Sequence, residues 1–122
     1  MSIETWYKWS TLEFTLTVVF GGELRDLRDF DAIELVVKRH LGETQTALVT
    51  LGIGSGITLQ DQDEADGLGK ADVVIPSDAW DGVAAGHVWV DVFGIFNGSP
   101  PVRKLIVQPT YKYLSDVCND DA

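Results

Sequence analysis

The chain has 122 residues, 45% of them hydrophobic, and a formal net charge of −10 at pH 7. This length fits a single domain, residues 1–122, that buries about two thirds of its extended-chain surface. The charge opposes nucleic-acid binding, which needs a cluster of Lys and Arg to displace counterions. We interpret the acidic surface as an aid to solubility; the alternative is an acidic face that docks a basic partner.

The sequence also bears on the cellular compartment. Its one cysteine, Cys118, predicts neither a disulfide within the chain nor a cysteine-based metal site. The first ten residues carry no apolar signal core, and the apolar runs are too short to span a bilayer. We therefore expect a soluble protein that is made in a cytoplasm without export.

Most of the chain alternates between apolar and polar residues, the pattern of half-buried β-strands. Such strands are predicted at residues 12–20, 32–39, 45–51, 70–75, 86–96 and 102–107, with Gly, Pro and Asn between them. We predict an all-β fold, an antiparallel immunoglobulin-like β-sandwich of about seven strands, with its core at residues 12–109 between two terminal arms. The side chains expected in the core are Phe14, Leu16, Val18, Ile33, Leu35, Val37, Val49, Val73, Ile75, Val90 and Val92.

No pattern in the sequence indicates catalysis or metal binding. The two histidines, His40 and His87, lie on different predicted elements, and neither is placed as the base for a Ser or Cys nucleophile. Residues 60–69 are acidic, but a calcium loop starting at Asp61 lacks the ligands required at its fifth and twelfth positions. We expect no enzymatic activity, no cofactor and no metal; the loop is predicted to be solvated, with a weak cation site as the alternative.

Aromatic residues lie near both ends of the chain and on the longest apolar strand. Aromatic side chains are enriched at the centres of protein interfaces. We predict that at least one of the arms, residues 1–11 and 110–118, contacts another protein chain; the alternative is that both fold back as extra edge strands. The candidate interface residues are Trp6, Tyr7, Trp9, Trp89, Phe93, Tyr111, Tyr113 and Leu114.

Several segments occur in an order that resembles a known family. They are GSGITL at 54–59, GKADVVIP at 69–76, SDAW at 77–80, AGHVWVDV at 85–92 and LIVQP at 105–109. Together they cover roughly residues 12–109 and resemble the immunoglobulin-like domains of tailed-bacteriophage virion proteins, notably the N-terminal domain of baseplate upper proteins. Trp89 stands where that family usually has Tyr.

The resemblance implies a non-enzymatic structural component of a bacteriophage virion, in the tail, baseplate, neck or capsid. Such a protein is made in the host cytoplasm and assembles with other virion proteins and with copies of itself, without nucleic acid or membrane as a partner. The alternative function is a free-standing β-sandwich module that binds carbohydrate or a host surface. In that case Trp89 and Phe93 are expected to form an exposed stacking platform.

Overall fold

The computed structural model describes residues 4–20, 22–40 and 47–116, so Cys118 and the outermost parts of both arms lie outside it. The described residues form strands and two short 3₁₀ turns, and no helix among them is long and apolar enough to cross a membrane. The strands are β1 (Glu4–Tyr7), β2 (Leu12–Thr17), β3 (Val19–Phe20), β4 (Glu23–Leu24), β5 (Ala32–Lys38), β6 (Val49–Ile53), β7 (Gly56–Leu59), β8 (Lys70–Ile75), β9 (Gly86–Phe96) and β10 (Val102–Ser115). The turns are η1 (Leu27–Asp29) and η2 (Ser77–Trp80).

The strands pair into one large, strongly curled sheet. Its order is β1-β10-β9-β5-β6-β7-β8-β2, while β3 and β4 form a separate two-stranded sheet. The sheet is nearly closed, because Trp6 of one edge strand stacks on Phe14 of the other with ring centroids 5.7 Å apart. We call the gap between these two edges, β1 and β2, the seam.

The all-β prediction is confirmed, but the antiparallel sandwich is not. The sheet is mixed: β1 runs parallel to β10, and β6 runs parallel to β7. The alternation of apolar residues fixes which face of a strand is buried, but it carries no information on the direction of the neighbouring strand. A single curled sheet and two stacked sheets therefore give the same sequence pattern.

The core fills the inside of the curled sheet. Every residue predicted to be in the core is buried except Phe14, which is partly buried at the seam. Trp6 and Leu114 join this core at 4% and 0% exposure, and both arms supply a strand to the sheet, β1 and the last part of β10. Trp80 of η2 is also buried, and its ring centroid lies 6.2 Å from that of Trp6.

Candidate interaction surface

The outward face of β5, β9 and β10 carries a group of aromatic rings and a buried ion pair. Alternation points Val88, Val90 and Val92 of β9 inward and directs the residues between them outward. The register places Trp89 opposite Tyr111 and His87 opposite Tyr113, so the outward residues of β9 and β10 are direct cross-strand neighbours.

Four rings on this face contact one another. Trp89 and Tyr111 have ring centroids 4.6 Å apart, and His87 lies 4.9 Å from Tyr111 and 5.1 Å from Tyr113. Tyr111 and Tyr113 remain 37% and 38% exposed although their rings are held by these neighbours. We call the four residues the aromatic face. Its rings have little freedom left to lose on binding, and this lowers the entropic cost of docking.

Phe93 lies on the same outward face but is only 5% exposed, which corrects the expectation of an exposed platform formed by Trp89 and Phe93. The guanidinium carbon of Arg103 lies 3.7 Å from the centroid of the Phe93 ring. The same Arg103 donates a hydrogen bond of 2.5 Å to Glu34 on β5. Arg103 therefore spans three strands and covers the ring, a cation–π arrangement that alternation alone cannot reveal.

A buried ion pair lies between these two groups of rings. Lys38 Nζ is 2.7 Å from Asp91 Oδ2, and the two residues are 2% and 4% exposed. The Asp91 Oδ1 atom is buried and has no hydrogen-bond partner among the described residues. Both residues point outward, where sequence reasoning expects solvated charges, and so the pair was missed. Their opposite charges were the only signal, and no sequence pattern places β5 beside β9.

Basic side chains border the aromatic face in an otherwise acidic protein. Arg39 donates hydrogen bonds to the backbone oxygens of Ala84 and His87, the second over 3.1 Å. Arg103 lies at the opposite border, beside Phe93. Because Arg103 is balanced by Glu34 and Lys38 by Asp91, this side carries little of the net charge of −10.

The remaining candidate residues lie elsewhere. Trp6 and Leu114 are in the core and can contribute only packing in the isolated chain, while Tyr7 is half-buried. Trp9 is 63% exposed, and its indole N–H donates 2.6 Å to the backbone oxygen of Asp116. It borders a groove next to η2, which Asp81 also lines. The structure thus separates Trp9 from the residues of the aromatic face.

The acidic loop 60–69 is organised by one buried side chain, Gln62, which is 6% exposed. Its Oε1 accepts from the backbone N–H groups of Leu27 and Gly69 over 2.9 and 3.0 Å. Its Nε2 donates to the backbone oxygens of Gln60, Gly67 and Lys70 over 2.8 to 3.1 Å. The loop is therefore tied to η1 and to β8 and is not simply solvated.

Arg28 of η1 adds a second, exposed link to this loop. Its guanidinium bonds both Asp26 and Asp63, and the side-chain hydrogen bond to Asp26 holds the pKa of that carboxyl below its ordinary value. The same two carboxylates raise the pKa of Arg28. Across residues 4–20, 22–40 and 47–116, no three His, Cys, Asp or Glu side chains are grouped as metal ligands.

Neither comparison of this chain with known proteins gives a relative: no family model matches it, and no curated protein matches it.

Proposed function

We propose that this domain is a non-enzymatic structural component of a bacteriophage virion and that it assembles through the aromatic face. The observation that carries the docking surface is the contact of four rings from two adjacent strands on an outward face. The virion and the immunoglobulin-like class are proposed from the sequence resemblance over residues 12–109. The partners proposed are other virion proteins and further copies of this chain.

Three properties support the aromatic face as a docking surface. Tyr and Trp bury a large area at low entropic cost and dominate the energetics of many interfaces. The strands beneath the rings are held together by ion pairs, so the surface is rigid. Lys38–Asp91 joins β5 to β9, and Arg103–Glu34 joins β10 to β5. Leu105, which is 42% exposed and lies opposite Phe93, extends the apolar surface along β10.

Charge supports the same side of the molecule. Copies with a net charge of −10 repel one another over most of their surface. On the side of the aromatic face, Glu34 is paired with Arg103 and Asp91 with Lys38, so these carboxylates add no net negative charge and this side opposes docking least. Electrostatics would therefore select the orientation of an incoming neighbour more than it would strengthen the contact.

A complementation experiment tests this proposal. The gene for this chain is deleted from a bacteriophage that encodes it. The host cell then supplies either the wild-type protein or a double variant, Tyr111→Ser with Tyr113→Ser. Val74→Ser is the matched control, since Val74 on β8 is 37% exposed, as Tyr111 is. Each ring removed should cost about 2 kcal/mol of binding free energy, which is about 30-fold in affinity. The double variant should therefore fail to restore infectious particles.

The wild type and Val74→Ser should both restore infectivity, and circular dichroism should show that the double variant is folded. Full complementation by the folded double variant would contradict the docking role of the aromatic face. Intact particles without any copy of this chain would contradict the virion assignment itself.

A second candidate function, saccharide binding, is favoured by the groove next to η2. Trp9 presents its exposed ring there, and Ser77, Asp78 and Asp81 line a cavity of about 260 Å³. An aromatic ring beside a few polar groups suits a small polar ligand. Saturable binding of soluble oligosaccharides that is lost in Trp9→Ala, with the aromatic face intact, would favour this function over assembly.

A further inference from the structure

A cleft lies at the seam between β1 and β2, away from the aromatic face that is proposed for assembly. The cleft has a volume of about 300 Å³. Its floor consists of core side chains from several strands, Leu16, Leu35, Val90 and Val92, each buried to 6% exposure or less. Trp6, Phe14 and Val107 form its walls.

The topology explains why the cleft occurs at this place. β1 pairs only with the last part of β10, from Glu4 opposite Lys112 to Tyr7 opposite Ser115. Within the described residues, β2 is paired on one side only, with β8. Nearly closed sheets of about eight strands either fill their interior with side chains or enclose one small ligand.

The chemistry of the lining defines a ligand class. The floor offers only hydrocarbon surface, which suits an apolar body and disfavours ordered water, because a buried water needs two to four polar partners. Thr110 also lines the cleft, and because it lies opposite Val90 in the register its side chain is on the same inward face as the floor. Lys112 also lines the cleft, but its ammonium forms an ion pair with Glu4, so the charges there already balance. A neutral head group is therefore favoured over a carboxylate.

We infer that the seam cleft is a binding site for a small, neutral amphipathic molecule, with a hydrocarbon body on the core floor and a hydroxyl or amide near Thr110. The volume is sufficient, since an apolar cavity of about 150 Å³ is enough to bind benzene in another protein. Ligand pockets begin at about 300 Å³. This site is distinct from the aromatic face and does not depend on assembly.

The probes are 1-hexanol and hexanoate, which share one hydrocarbon chain and differ in the charge of the head. Each is titrated into the full ¹⁵N-labelled chain, and the Trp6 indole and Leu16 amide resonances are followed, because both residues line the cleft. Saturable shifts are expected with 1-hexanol, and hexanoate should bind at least about tenfold more weakly. No saturable shift with 1-hexanol, or equal binding of hexanoate, would overturn the inference.

Two variants localise the binding. Val107→Phe fills the cleft from its wall and should abolish the 1-hexanol response, while Val74→Phe, the same change on the exposed face of β8, should leave it intact. Thr110→Val keeps the side-chain shape and removes one hydroxyl, so it should lower the affinity for 1-hexanol by about tenfold. This variant provides the test if Val107→Phe does not fold. An unchanged response in Thr110→Val, or in folded Val107→Phe, would place the binding elsewhere and refute the site.

Discussion

Replacing Gln62 by methionine tests how the acidic loop is held. The substitution nearly preserves the volume of the side chain, so it leaves little cavity, but it removes the amide that bonds five backbone groups. The backbone oxygens of Gly67 and Lys70 keep other donors, the N–H groups of Lys70 and Gln60. The main cost therefore falls on the two N–H groups, of Leu27 and Gly69, that lose their acceptor.

An unsatisfied buried N–H group costs about 1–3 kcal/mol. Two such groups, partly relieved by relaxation of the loop, predict a loss of about 3 kcal/mol of unfolding free energy. A domain of this size has about 5–15 kcal/mol in total, so the melting temperature should fall by about 10 °C.

The assay is urea denaturation followed by circular dichroism, with Gln108→Met as the control because Gln108 is an exposed residue of β10. The unfolding free energy of the control should stay within about 0.5 kcal/mol of the wild-type value. Amide exchange of Leu27 and Gly69 should accelerate only in Gln62→Met. A change below about 1 kcal/mol in Gln62→Met would refute the assigned role of this side chain.

Further predictions concern other parts of the molecule. Asp91→Asn removes the carboxylate 2.7 Å from a buried ammonium and should cost about 3 kcal/mol in urea denaturation; a loss below about 1 kcal/mol would contradict burial of the pair. In Gly94→Ala the new Cβ would lie 2.5 Å from the Phe30 ring, so the melting temperature should fall, and an unchanged value would show that the ring can move. Arg28→Met should raise the pKa of Asp26 toward its ordinary value in an NMR titration. Because the folded-state pKa is depressed, this contact stabilises the fold above the ordinary Asp pKa and is lost as pH falls through the lowered value.

The sequence allowed much of the strand content and the core to be predicted, because alternation at period two directly reports which side of a strand is buried. Leu16, Val37 and Val90 are buried as expected. The pairing of β1 with β10 and the single curled sheet could not be predicted. They depend on contacts between residues more than a hundred positions apart, such as Trp6 with Leu114, and no local pattern encodes such contacts.

The candidate surface was predictable only in part. Trp89, Tyr111 and Tyr113 were expected at an interface, and the register places them next to one another on one face. Burial of Phe93 depends on the reach of Arg103 from a neighbouring strand, and burial of Asp91 depends on its contact with Lys38. Long side chains such as these bury outward positions, and the alternating pattern of the sequence does not predict that burial.

Docking through the aromatic face can be measured by hydroxyl-radical footprinting of the free domain and of purified bacteriophage particles that contain it. We expect the oxidation rates of Tyr111 and Tyr113 to fall strongly in the particles, while Val74, which is equally exposed in the free chain, keeps its oxidation rate. Equal oxidation of both tyrosines in the free domain and in the particles would contradict docking through the aromatic face.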